Sequence, residues 1–154
     1  MASLILVPFN GGLPAQAALR AACSHARRDD AFVAAVYVAL IPRQVPLSAN
    51  LPWLTREVTR VQLLAEPIVQ EAGANAWVEW VCARELAPAL AGVAAELEAS
   101  QILFGVRRAP RRSAWLRYWS LPERLRRLTS CPVTVHVFPL TEAAETRMPS
   151  EALS

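Results

Sequence analysis

The sequence predicts an α/β protein: a doubly wound, open five-stranded parallel sheet with helices on both faces. Two observations carry that prediction. Five short runs rich in Val, Ile, Leu and Phe alternate along the chain with four stretches of helical spacing. The strand-like runs are mostly apolar throughout rather than alternating polar and apolar, as strands are when layers cover both of their faces. Strands joined by helices in this way close through right-handed crossovers into a parallel sheet.

The first run, LILVP at 4–8, reads as a central strand. Asn10-Gly11-Gly12 is turn chemistry. Leu13-Pro14 opens a helix whose small residues Ala17, Ala18, Ala21 and Ala22 allow close packing on a sheet. Arg27 and Arg28 suit its C-terminal dipole. A second strand spans 31–41 (AFVAAVYVALI), and Pro42, Pro46 and Pro52 mark the loop after it. Leu54, Val58, Val61, Ala65, Ile68 and Val69 then follow helical spacing over 53–72, with Gly73 as its stop. Pro67 inside that pattern is expected to kink the helix or confine it to one side. A third strand is expected at 76–81, with Glu79 at an edge or strand end, and a third helix at 84–99. A short fourth strand covers 102–105. Ser120-Leu121-Pro122-Glu123 forms a capping box for the last helix, with Leu121, Leu125 and Leu128 on its inner side. The fifth strand covers 132–138, and the chain divides into a domain at 1–140 and a polar, flexible tail at 141–154.

Composition narrows the function. At 154 residues, 54% of them hydrophobic, the chain suits one domain with a full core. No apolar run reaches the roughly 18 residues of a membrane helix, and the N-terminus lacks a charged leader, so neither membrane insertion nor a signal peptide is expected. Cys23, Cys82 and Cys131 are scattered and read as buried free thiols of a reducing cytosol, so a cytoplasmic protein is expected. All sixteen basic residues are arginine, and eight of them fall between Gly105 and Ser130 against Glu123 alone. The formal net charge of +3 is therefore a basic patch on a mildly acidic body. The patch is short and matches no nucleic-acid reader motif, so nucleic acid is not the expected partner. With two separated histidines and no clustered carboxylates, a metal site is not expected. No nucleophile elbow, Ser-His-Asp pattern or Walker loop supports catalysis.

The functional question concentrates on 101–137. A strand, an arginine-loaded loop and a helix N-terminus follow one another there, and open α/β sheets bind anions in such places. Strands one and four lead into the turn-rich loops and are expected to flank the crevice. Arg107, Arg108, Arg111 and Arg112 have two readings: guanidinium forks for phosphate, or a solvated, partner-facing loop. Trp115, Tyr118 and Trp119 stack a nucleotide ring or form a lid or oligomer contact. Asn10 touches a ribose or base, or only makes its turn. Ser120 touches a phosphate, or only caps its helix.

Three pieces lie in order: Val7-Pro8-Phe9-Asn10-Gly11-Gly12 after the first strand, Ser120-Leu121-Pro122-Glu123-Arg124 at the last helix, and Cys131-Pro132-Val133 at the last strand. In that register the chain, from about residue 3 to 140, resembles the universal stress protein family. The resemblance implies the adenine nucleotide α-hydrolase-like (HUP-type) fold. It also implies ATP or another adenine nucleotide as ligand in the ATP-binding branch. The family's phosphate loop reads Gly, two residues, Gly, nine residues, Gly, then Ser or Thr. Here Gly105 and Ser120 keep the two ends, Arg108 and Trp119 stand at the other glycine positions, the loop is one residue longer, and Asn10 stands where the family has aspartate. Glycines let backbone N–H groups reach phosphate oxygens, and an indole in their place obstructs the helix N-terminus. The expected site comprises Pro8, Asn10, Val38, Gly105, Arg107, Arg108, Trp119, Ser120 and Leu121. The resemblance further implies a homodimer through the last strand, with Val133, Val135 and Val137 as its stripe. The leading expectation is a stress-response regulatory module that does not bind ATP in the usual pose and acts through a protein partner or a small anion at the arginine loop. The alternative is an ATP- or AMP-type nucleotide-binding protein with at most slow hydrolysis.

Overall fold

The computed structural model describes residues 3–73, 75–107 and 121–138. Its elements are β1 (Leu4–Pro8), α1 (Leu13–Asp29), β2 (Phe32–Leu40), α2 (Pro52–Ala72), β3 (Asn75–Ala83), α3 (Leu86–Glu96), β4 (Gln101–Arg107), α4 (residues 121–128) and β5 (Val133–Phe138). The five strands form one sheet in the order β3-β2-β1-β4-β5, parallel throughout. This is the doubly wound arrangement expected from the alternating pattern.

Side-chain alternation along the strands divides the core into two layers. Ile5, Val7, Val33 and Ala35 face α1 and α2, meeting Leu19 and Cys23 of α1 and Val61, Ala65 and Ile68 of α2. Leu6, Ala34, Val36, Ile102 and Val133 face the other way, onto Leu90, Val93 and Ala94 of α3 and Leu125 of α4. The buried stripe of α1 is mostly alanine (Ala15, Ala18, Ala22, Ala26), so its backbone lies close on the sheet.

Two local expectations need correction. Pro67 does not end or divide α2, which continues to Ala72 and the left-handed cap Gly73. Pro67 lies on the exposed side, where the helix tolerates the loss of one backbone donor to a solvent-facing carbonyl. β4 is longer than the apolar run implied and carries Gly105 within the strand rather than at its end. Its ladder with β5 runs on through Gly105↔His136, Val106↔Val137 and Arg107↔Phe138 and keeps those residues extended. Glu79 does lie on an edge strand, β3, but in its middle, where it accepts a 2.7 Å hydrogen bond from the Trp77 indole N–H. No described helix is long and apolar enough to cross a membrane.

Candidate functional site

The sheet opens where its strand order reverses. β1 and β4 are paired only at Ile5↔Gln101 and Leu6↔Ile102. Beyond that point β1 stays with β2 as far as Pro8↔Val36, while β4 stays with β5 as far as Arg107↔Phe138. The two halves part, and a cavity of about 460 Å³ lies at their carboxyl ends. That size lies within the range of small-molecule sites, and this is the position where open α/β sheets take ligands.

Six expected site residues line this cavity: Pro8, Asn10, Val38, Gly105, Arg107 and Leu121. Arg108, Trp119 and Ser120 lie outside the described residues. The walls are chiefly apolar, and Arg107 is the one charged side chain among the described lining residues. Its guanidinium carbon sits 6.0 Å from the centroid of the Phe138 ring, its register partner on β5. The sequence reading missed Tyr37, Leu40, Leu86, Phe104 and Val106, which also line the space. Phe104 and Val106 were legible in principle, because alternation carries them to the face of β4 shared with Ile102. Leu86, from the start of α3, had no comparable signal.

On the β1 side, the turn is built by hydrogen bonds. The Asn10 side-chain oxygen accepts from the Gly12 backbone N–H at 2.9 Å. Gln16 donates its side-chain amide to the Gly11 carbonyl at 2.8 Å, and Arg60 of α2 donates to the Asn10 carbonyl at 3.2 Å. Arg60 also holds Glu57 one turn earlier, at 2.9 Å, and that hydrogen bond keeps the Glu57 carboxyl below its usual range. Burial, reinforced by the Glu57 charge, pushes the phenol of the cavity-lining Tyr37 up. On the β4 side, a Cβ on Gly105 would lie 2.2 Å from the Pro14 carbonyl oxygen. Gly105 is thus required by the close approach of α1 to β4, whatever else it does. Among the described residues, no three His, Cys, Asp or Glu side chains gather as a metal site would need.

This fold has counterparts. A family model described as the universal stress protein family matches residues 1–136. The chain belongs to that family. Among solved structures, a universal stress protein family member from Burkholderia pseudomallei is 27% identical, with 87% of this chain and 95% of that one aligned at a TM-score of 0.65. The universal stress protein from Archaeoglobus fulgidus in complex with dAMP is 16% identical over 88% of this chain and 97% of its own, at a TM-score of 0.65. A universal stress protein family protein from Arabidopsis thaliana with AMP bound is 11% identical over 91% and 94%, at 0.58. At these identities the last two likenesses speak for the shared fold. No protein among those with curated descriptions matches the chain.

Proposed function

We propose that this chain is a regulatory member of the universal stress protein family whose crevice takes an adenine nucleoside monophosphate rather than ATP in the family's usual pose. The observation that carries this reading is the cavity itself. Its walls are apolar enough for a purine, with Pro8, Val38 and Leu121 among them, and a cation, Arg107, also lines it. Universal stress proteins of the same fold have been solved with dAMP, cAMP and AMP. The reason for preferring one phosphate to three lies in the sequence. Arg108 and Trp119 stand at two glycine positions of the triphosphate loop, and Asn10 replaces the aspartate. Arginine forks hold a single phosphate well, but they do not replace an open row of backbone amides.

In this reading the protein acts in the cytoplasm as a homodimer through β5 and passes its ligand state to a protein partner, with no catalytic step. The outward-directed backbone groups of β5 belong to Val133, Val135 and Val137. This follows because the Ile102 N–H donates to the Pro132 carbonyl, which turns the alternate residues toward the open edge. A second reading, a partner-binding module without any nucleotide, draws on the Asn10 oxygen, already engaged by its own turn.

Calorimetric titration separates these. Arg107→Ala is expected to weaken AMP binding at least tenfold with the fold intact by circular dichroism. Trp119→Gly is expected to improve ATP binding while leaving AMP nearly unchanged. Absence of AMP binding by the native chain favours the partner-only reading. Tight ATP binding that disappears in Ser120→Ala or Arg108→Ala restores the usual family pose.

A further inference from the structure

Among the described residues the sheet has a second unpaired edge, β3, at the end opposite β5. β3 is nine residues long, against six for β5, and it pairs with β2 at every position from Phe32↔Asn75 to Leu40↔Ala83 without a bulge. The Ile41 N–H donates to the Ala83 carbonyl at 2.9 Å, so Ala83 directs its own backbone groups toward β2. Alternation then directs the N–H and C=O of Ala76, Val78, Trp80 and Cys82 outward. Exposed edges in soluble proteins are normally guarded by lysine, proline, a bulge or an inward charge. Asn75–Ala83 carries no lysine, proline or bulge, and its one charged residue, Glu79, is tied to the Trp77 indole.

Both faces of this edge also carry aromatic surface. Trp80, on the α2 side, is 43% exposed. On the α3 side, Trp77 is half-buried and lies 6.4 Å from the ring of Phe32, itself 37% exposed. An aromatic strip with outward backbone groups and a single carboxylate can pair with a strand of the same character.

We infer that the β3 edge is an interface with a second copy of this chain, formed by antiparallel pairing of β3 with its symmetry mate. Charge decides which registers are allowed. A two-fold axis at Glu79 would set two carboxylates directly opposite each other, which is unfavourable. Axes at Val78 or Trp80 join outward-facing backbone groups to outward-facing ones and keep the carboxylates apart. A second copy fits better than the chain's own C-terminal segment. That segment follows β5, about 19 Å away across the sheet at the usual strand spacing, and its sequence at 141–154 is acidic and contains proline. Because β5 is also open, pairing at both edges would extend the sheet through successive copies rather than stop at two.

Sedimentation velocity on the full chain over a hundredfold concentration range tests this, with Trp80→Lys on the β3 edge and Val137→Lys on the β5 edge. Circular dichroism and thermal melting report whether each variant is folded. Native chain is expected to associate, and Trp80→Lys to raise the association midpoint at least tenfold. Val137→Lys is expected to leave a dimer that Trp80→Lys, added to it, reduces to monomer. Should Trp80→Lys fail to fold, Trp80→Glu and Trp80→Thr serve instead, since this side chain is substantially exposed. The inference is overturned if the native chain is monomeric throughout, or if folded β3-edge variants associate as the native chain does while Val137→Lys alone abolishes association.

Discussion

On the β1 flank of the crevice, Gly11 adopts a left-handed φ of 88° in a turn held by Asn10, Gln16 and Arg60. On the β4 flank, Gly105 sits inside a regular strand and is pressed against the first turn of α1, with no left-handed backbone at all. The first glycine answers to local conformation, the second to tertiary packing. The difference matters for function. Gly105 matches the first position of a phosphate loop, yet packing alone accounts for it. Its presence therefore says little about phosphate.

Substitutions at the two flanks should separate these causes. The largest effect is expected at Gly105→Ala. The new Cβ meets backbone atoms, Pro14 O at 2.2 Å and Pro14 C at 2.7 Å, which cannot rotate away. The variant should lose about 3 kcal/mol in urea denaturation, at the upper end of ordinary overpacking. A loss near zero would mean that α1 does not approach β4 as described. Gly11→Ala should lose about 1–2 kcal/mol, chiefly from the left-handed backbone. The Leu64 and Arg60 side chains at 2.9 and 3.0 Å are flexible and can yield. Gly11→Asn should recover part of that loss, since asparagine tolerates this conformation.

Asn10→Ala removes the acceptor for the Gly12 N–H and should cost about 1 kcal/mol. Asn10→Asp keeps an acceptor and should remain near native stability. If both variants are equally unstable, the turn hydrogen bond is not what Asn10 supplies.

The smallest effect concerns α1, which serves both flanks. Burial pushes the Cys23 thiol up, so the folded state holds its proton longer than the unfolded chain does. The Cys23 contribution to stability should be level in pH up to the unfolded thiol range, about 8.5, and then fall as pH rises further, because the unfolded state ionises first. Cys131, also raised by burial, adds to the same decline. Cys23→Ala should flatten the slope between about pH 8.5 and 10 without abolishing it. An unchanged slope would show that Cys23 is not shielded.

Much of the frame was legible before any geometry. The apolar runs gave the strands because a doubly covered strand has no polar side, and the helices followed from their spacing. The crevice was also legible, since parallel order places it wherever the sheet reverses. What failed was local. Pro67 was expected to kink α2 or confine it to one side, and the helix is not confined, because one missing donor on a solvent-facing side is tolerated. Gly105 looked like a strand end because glycine usually punctuates, but its pairing with His136 lies in another part of the chain. Tyr37 and Leu86 were missed at the site because only tertiary packing brings the ends of β2 and α3 to the same space. The outward set on β3 was beyond sequence reading, because it depends on which residue of a pair turns its backbone inward.

The crevice is proposed to take one phosphate rather than three. Calorimetric titration of the native chain with AMP and with ATP under identical salt and pH tests it most directly. Saturable AMP binding is expected, with ATP affinity no greater than that of AMP. ATP binding at least tenfold tighter than AMP, lost in Ser120→Ala, would contradict it.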